Sequence, residues 1–293
     1  MQNAIINVNG EIVPGDRARV SVFDRGYLYG DSLYEVARTY DGEFFGLNEH
    51  LERLQRSAEL CHMTLGQSLQ QYRDEMVRTF EAFRRMPGQS GAEAYVRLIV
   101  TRGVGKIGFH LNCLKTPTQY VIIAQPVEAP TAEQYRKGCA LQVVSRIRND
   151  SRALDPAMKS GNYLNSVLAY LEASREGFDD ALMCNFDGHI TEGTTFNIHY
   201  VKRGILVTPP LDIGILDGIT RRFLLEIARE QSIPYRETRF PKERLYEADE
   251  VFLTGSVKEI FPVTRVDRVT IGTGKPGPIT DRLHAAYQAR LPS

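Results

Sequence analysis

Two short segments hold the residues best suited to chemistry. The first runs Pro156-Ala157-Met158-Lys159-Ser160-Gly161-Asn162-Tyr163-Leu164-Asn165, and the second runs Ile190-Thr191-Glu192-Gly193-Thr194-Thr195-Phe196-Asn197. Each sets one ionisable side chain among small, turn-forming and hydroxyl neighbours. A lysine taken alone is far more often a solvated charge than a catalyst, and most glutamates at strand ends are solvated too. Their surroundings argue for more. Gly161 permits close backbone approach beside Lys159. Glu192 follows a Gly-containing turn, and a carboxylate buried there needs a cationic partner. An amine that condenses with an aldehyde and a carboxylate that keeps a ring nitrogen protonated are the two requirements of pyridoxal 5'-phosphate.

A third segment could seat the phosphate of such a cofactor. Leu216-Asp217-Gly218-Ile219-Thr220-Arg221 opens a helical pattern. Two readings stand side by side. Asp217 caps an ordinary helix, or the N–H groups of Gly218, Ile219 and Thr220, with the Thr220 hydroxyl, cradle an anion. Thr254-Gly255-Ser256-Val257, after an apolar stretch, offers further donors in Gly255 and Ser256. Arg53, on a helical pattern in the first half, offers a charged fork.

The elements that must position these groups are those of an α+β protein in two unequal halves. Residues 4–8 and 11–13 read as a hairpin across Asn9-Gly10, and Leu33–Tyr40 with Glu43–Phe45 repeats the device across Asp41-Gly42. Asn48 is placed to cap a helix carrying Leu51, Leu54, Ala58 and Cys61, and a second helix spans about residues 68–85. Strands follow at 94–101 and 119–125. The stretch 126–135, with two prolines and no clear period, is the expected linker, dividing a small domain (1–125) from a larger one (136–293). There, a strand at 140–145 precedes a helix at 162–176 with Leu164, Val167, Leu168 and Leu171 expected inward. Strands at 180–186, 189–201 and 204–208, a helix near 219–231, strands at 233–239 and 250–254, and a helix at 279–290 complete the pattern.

Composition narrows the class. Lys+Arg and Asp+Glu both total 36, so the net charge is zero, which argues against bulk electrostatic capture of nucleic acid or an anionic membrane. Apolar residues make up 42% and charged residues 25%, the ordinary globular range. No apolar run approaches membrane-spanning length, and the first residues lack the basic and apolar regions of a signal peptide. The cysteines at 61, 113, 139 and 184 form no ligand spacing with the histidines, so no metal site is expected. Scattered thiols suit a reducing cytoplasm. Gly103-Val104-Gly105-Lys106-Ile107-Gly108 matches a dinucleotide fingerprint, yet no amphipathic helix opens after it. Gly272-Thr273-Gly274-Lys275-Pro276 likewise lacks the hydroxyl residue and helix of a P-loop.

Taken in order, the landmarks Asp24-Arg25-Gly26-Tyr27-Leu28-Tyr29-Gly30-Asp31-Ser32-Leu33-Tyr34-Glu35, His50-Leu51-Glu52-Arg53, Lys159 to Leu164, Thr191-Glu192-Gly193, Gly218-Ile219-Thr220 and Ala248-Asp249-Glu250-Val251-Phe252 resemble the fold-type IV pyridoxal-phosphate enzymes, the class IV aminotransferases. The resemblance covers essentially the whole chain. It implies a two-domain fold with the cofactor between the domains, at least a homodimer, and partner loops that close each site. It implies that Lys159 forms the Schiff base, that Glu192 holds the pyridine nitrogen, and that Tyr163 stands beside the ring hydroxyl. Arg53, Ile219, Thr220 and Ser256 match the phosphate cup. Gly218 and Gly255 join the cofactor residues, while Tyr29, Tyr34, Tyr95, Arg97 and Val257 are expected on the substrate side. The implied reaction is ping-pong transfer of an amino group to a 2-oxo acid.

Within the group, two signals oppose each other. Asp24-Arg25-Gly26-Tyr27 and Tyr34-Glu35-Val36 resemble the D-amino acid enzymes and the aminodeoxychorismate lyases. Tyr95-Val96-Arg97, the 103–108 loop and Gly161-Asn162-Tyr163 resemble the branched-chain enzymes. The D-specific Arg-x-His carboxylate trap is missing, with Ile107-Gly108-Phe109 in its place. Because that trap is a charge-assisted pair, the expected substrate is a branched-chain or other hydrophobic L-amino acid with 2-oxoglutarate. D-amino acid transamination comes next, then the lyase or an (R)-amine transaminase.

Overall fold

A strand buried on one face and open on the other sorts its side chains by alternation, and this sorting organises the first half of the protein. The computed structural model describes residues 3–292. It divides into two compact units: Met1–Glu128 with Met158–Asn162 and Pro292–Ser293, and Ala129–Ala157 with Tyr163–Leu291. The segment carrying Lys159 therefore packs with the first unit, whereas the sequence grouped it with the second. The stretch expected as linker is partly ordered: Ala132–Lys137 is a helix whose capping box joins Thr131 and Gln134.

In the first unit a six-stranded antiparallel sheet runs, in spatial order, Glu11–Pro14, Ile5–Val8, Gln119–Pro126, Ala94–Thr101, Ser32–Tyr40 and Glu43–Phe44. Leu33, Ala37, Val96, Leu98, Val100, Ile122 and Ala124 build one core with Leu51, Leu54 and Ala58 of the helix Leu47–Leu60 and Met76, Phe80 and Phe83 of the helix Leu69–Arg84. The first of these helices begins at Gly46, whose φ of 65° suits a residue without a Cβ. Asn48, expected as the cap, instead accepts a hydrogen bond from Arg73.

In the second unit nine strands form a sheet that closes on itself. Asn197–Lys202, Glu250–Gly255, Glu259–Val266, Cys139–Val143, Asp180–Cys184 and Ile190–Gly193 follow one another, and Asn197 pairs back to Glu192. The single strand expected over 189–201 is thus two, turned by Thr194, Thr195 and Phe196. Gly193 donates its N–H to the Phe196 carbonyl, and a Cβ at Gly193 would stand 2.1 Å from the Phe196 ring. The helix Leu164–Arg175 corrects another expectation. Ser166, Ala169 and Ala173 are the buried residues, and Ala169 and Ala173 pack on Val144, Ala181 and Met183. Small side chains let the helix approach the sheet closely, so Leu164, Val167, Leu168 and Leu171 face outward, with Leu164 68% exposed.

The C-terminal helix Pro278–Gln288 has no capping side chain at Gly277. Buried Glu250 takes that role from the sheet, accepting from the N–H groups of Ile279 (3.0 Å) and Thr280 (2.7 Å) and from the Thr280 hydroxyl (2.7 Å). Glu250→Ala leaves these donors without an acceptor and is expected to cost about 1–3 kcal/mol. Urea unfolding measures the loss, and hydrogen exchange should show the helix opening first. Unchanged protection of residues 279–281 would contradict this assignment.

Candidate active site

In the first unit, alternation sets the predicted substrate residues on the face turned away from the helices. Val36 lies opposite Arg97 and Arg38 opposite Tyr95 in the sheet register, so Tyr34, Val36, Arg38, Tyr95 and Arg97 share that face. The segment Met158–Asn162 lies along the start of the same strand. Tyr34 donates its N–H to the Lys159 carbonyl (2.9 Å), Gly161 donates to the Ser32 carbonyl (2.8 Å), and Lys159 donates its own N–H to the Ser57 hydroxyl (3.2 Å). A Cβ on Gly161 would meet Ser32 Oγ at 2.2 Å, which is why this position needs glycine.

Lys159 Nζ lies 4.5 Å from the centre of the Tyr34 ring, and the Arg97 guanidinium lies 3.9 Å from it. Among the described residues no carboxylate pairs with Lys159. Arg97 Nε is buried without a hydrogen-bond partner. Two cations thus lie against one ring, and one of them keeps a buried donor unsatisfied. Tyr29 lies elsewhere. It ends the helix Arg25–Tyr29, its hydroxyl accepts from Gly108 N–H (3.0 Å), and its ring meets Phe109 at 5.2 Å.

Beneath Tyr34, on the helix face, Glu35 is fully buried. Arg53 grips it through Nε and Nη2 at 2.8 and 2.7 Å, and His50 Nδ1 lies 2.8 Å from it. Burial pushes the Glu35 pKa up, but the Arg53 charge and the hydrogen bonds from Arg53 and His50 outweigh it and hold the group at about 2. Burial, aided by Arg53 and Lys159 against the pull of Glu35, keeps His50 below its ordinary value. The neutral imidazole therefore donates from Nδ1 to a carboxylate that only accepts. Arg53, expected as a phosphate fork, is thus first of all the counter-ion of Glu35.

In the second unit, Glu192 is buried at the closure of the sheet. Oε1 accepts from Arg148 Nε (3.0 Å), and Oε2 accepts from Leu216 N–H (3.0 Å) and Asn197 Nδ2 (3.3 Å). The cationic partner required by burial is therefore Arg148, which sequence reasoning missed; it lies in an irregular stretch with no pattern to mark it. Asn197 was visible in the motif, and its pairing opposite Glu192 gives it a role the motif could not. An ionised carboxylate offers about four lone-pair sites, and these three donors leave room for a ring N–H.

The helix Ile219–Glu230 starts at Gly218 with no side-chain cap. Asp217 turns to Arg222 instead, which removes the capping reading of that residue. The first N–H groups are donors for an anion, Thr220 is buried beside them, and a Cβ on Gly218 would stand 2.0 Å from Asn197 Oδ1. Gly255, Ser256 and Val257 sit at the tip of the hairpin joining Glu250–Gly255 to Glu259–Val266. Tyr163 is half-buried at the start of the helix Leu164–Arg175. Each unit by itself carries groups that fit pyridoxal phosphate: in the second, helix-start N–H groups and a hydroxyl for a phosphate and an anchored carboxylate for a ring N–H; in the first, the Lys159 amine for an aldehyde. Among the described residues no cluster of His, Cys, Asp or Glu is arranged to hold a metal, and no helix is long and apolar enough to cross a membrane.

The profile of the amino-transferase class IV family matches residues 32–266, and the chain belongs to that family. It is a pyridoxal-phosphate-dependent aminotransferase of α+β fold. A branched-chain-amino-acid aminotransferase of Salmonella typhimurium is 37% identical over 287 residues, covering 95% of this chain and 90% of its own. A D-alanine aminotransferase of Bacillus licheniformis is 33% identical over 280 residues, covering 96% and 94%. The crystal structure of the Escherichia coli branched-chain amino acid aminotransferase superposes with a TM-score of 0.89 at 33% identity, covering 98% of this chain and 94% of that one.

The Glu35 cluster carries a stability prediction. Its carboxyl ionises at about 2 in the folded protein against 4.5 ordinarily, so its contribution is complete above pH 4.5 and is lost as the pH falls towards 2. Glu35→Gln strands the buried Arg53 charge and is expected to cost about 3–5 kcal/mol at neutral pH. Denaturant titrations across pH should show the wild-type advantage shrinking below pH 4.5. An advantage that persists unchanged at pH 2 would rule the ion pair out as its source.

Proposed function

We propose that this aminotransferase moves the amino group of branched-chain and similar hydrophobic L-amino acids to 2-oxoglutarate or a related 2-oxo acid, in ping-pong fashion. The observation that carries the reading is the pairing of Lys159 and Arg97 over the Tyr34 ring, with no carboxylate on Lys159 and an unsatisfied Nε on Arg97. Pyridoxal phosphate supplies an aldehyde that takes up the amino group and a cationic ring that stores an electron pair.

Lys159 Nζ would hold that aldehyde, and the same amine would move a proton at the substrate α-carbon. Its backbone, bonded on both sides, keeps the amine aimed while the side chain swings. Glu192, with Arg148 balancing its charge, keeps a proton on the ring nitrogen. In the second unit Gly218, Ile219, Thr220, Gly255 and Ser256 would hold the phosphate, and Tyr163 would orient the ring through its hydroxyl. On the first unit's open sheet face Arg97 and Tyr95 would take a substrate carboxylate, with Tyr34 and Val36 as apolar neighbours; in the second unit Val257 is assigned to the substrate side. The absence of an Arg-x-His trap in the 103–110 loop favours this reading over D-amino acid transfer.

A second copy of the chain is the expected partner. The loop after Gly103 is pinned by Arg25, whose Nη1 donates to the Gly108 carbonyl (2.7 Å), yet Ile107, Phe109 and Leu111 are left to solvent, Phe109 at 78% exposure. Such a tip, with the outward Leu164, Val167, Leu168 and Leu171, is apolar surface of the kind that homodimers cover. Tyr29 and this loop would then complete the partner's site. The free cysteines, with Cys139 pushed up to about 12 by burial, suit the cytoplasm.

Purified protein should absorb in the visible with bound cofactor and scatter light with at least twice the mass of one chain. Lys159→Ala should lose both the absorbance and transamination, by about 10⁴-fold or more. Retained activity in Lys159→Ala would refute the assigned base, and a single-chain mass would refute the dimer. In a donor panel, L-leucine with 2-oxoglutarate should react faster than D-alanine, (R)-phenylethylamine, or aminodeoxychorismate alone. A preference for D-alanine would overturn the substrate assignment without touching the cofactor site.

A further inference from the structure

The hairpin tip Ser256, Val257 and Lys258 is held from outside the residues proposed to bind cofactor and substrate. Gly255 lies opposite Glu259 across the turn. The residue that re-enters the sheet after this turn is left-handed, a conformation that glycine takes without penalty. Here that residue is Glu259, with φ of 57° and a buried side chain. A residue with a Cβ is strained there, so interactions of the side chain must hold the conformation.

Those interactions converge from two helices. Glu259 Oε2 lies 3.2 Å from His284 Nε2, on the helix Pro278–Gln288. The His284 ring stacks on Tyr135 of the helix Ala132–Lys137, with centroids 4.3 Å apart and planes at 18°. Tyr135 in turn donates its hydroxyl to Asp281 (3.2 Å) and meets Phe261 edge-on. The imidazole is therefore fixed in plane and direction before it meets the carboxylate. The other flank has its own anchor: Thr254 Oγ1 lies 2.9 Å from His199 Nε2, inside the sheet. Burial, with the Arg221 charge behind it, holds His199 well below its ordinary value and thus neutral. Lys258 leans to Asp180 at 3.6 Å.

We propose that the Glu259–His284 pair is a positioning latch, holding a strained turn so that Ser256 and Val257 present their groups to cofactor phosphate and substrate. The latch rests on the reading of that turn given above. Neither residue takes part in the chemistry; each acts through the backbone of the turn. Affinity at the site is then set in part by the C-terminal helix, whose own start is fixed by Glu250.

The test compares holoenzymes of Glu259→Gly, His284→Ala, His284→Gln and Ser256→Ala for cofactor loss on dilution, followed by visible absorbance, and for KM against kcat with the best donor. Glycine relieves the backbone strain but cannot reach His284, so a purely conformational role predicts wild-type behaviour for Glu259→Gly. The latch predicts roughly tenfold weaker cofactor retention and a comparable rise in KM for Glu259→Gly and His284→Ala, with kcat changed far less. His284→Gln, which keeps a donor, should restore most of the loss. Wild-type retention and KM in Glu259→Gly overturn the latch, as does a His284→Gln variant as impaired as His284→Ala. Should His284→Ala fail to fold, Glu259→Gly against His284→Gln decides alone. Ser256→Ala separates the two readings: if it binds cofactor normally, the turn is not a phosphate seat. If it weakens binding while the latch variants do not, only the latch fails.

Discussion

The burial of one carboxylate constrains the first unit more than any other contact. Glu35 lies under the sheet, where an unpaired charge is untenable, and it stays ionised only because Arg53 and His50 reach it from the helix Leu47–Leu60. That grip fixes helix against strand. It also fixes the strand's sense, because a strand that turns Glu35 inward must turn Tyr34 outward. The Lys159 segment then bonds along the same strand, so the position of that lysine descends from an ion pair on the opposite face.

The second unit reaches a comparable rigidity by closure. Glu192 pairs with Asn197 where the sheet meets itself, and Arg148 with the Leu216 N–H fixes both carboxylate oxygens. The helix start at Gly218 is kept bare by chemistry close by: Asp217, the side chain best placed to cap it, is spent on Arg222. An uncapped helix in most proteins is a weakness. Here it leaves backbone N–H donors at the helix start.

Much of this was legible before any coordinates. Lys159, Glu192 and the Gly218-Ile219-Thr220 start stood out because glycine and hydroxyl residues flank them, and the two Asn/Asp-Gly hairpins of the first half were read from their turn dipeptides. Periodicity failed where it was ambiguous. In the helix Leu164–Arg175 the large apolar stripe points to an inward face by pattern alone, but Ala169 and Ala173 make the core contact. The break at Thr194–Phe196 was hidden because the residues on both sides are β-formers. Arg148 and the Glu259–His284 contact join positions distant in sequence, with no local pattern to announce them. Side-chain partners of that kind are a product of topology, which a single chain does not spell out.

The closed sheet has a consequence for how such a chain can vary. An open strand tolerates slippage at its edge, but Ile190–Gly193 and Asn197–Lys202 are paired within a closed circuit. One residue added between Ile190 and Asn197 would turn Glu192 to the other face or break the ring of pairings. The length of that segment is therefore locked. The stretch from Gly103 to Leu114 carries no strand pairing beyond isolated bridges, and it can grow or shrink at little cost to the sheet behind it. Length can therefore vary cheaply in that stretch, while the surroundings of Glu192 admit almost no insertion.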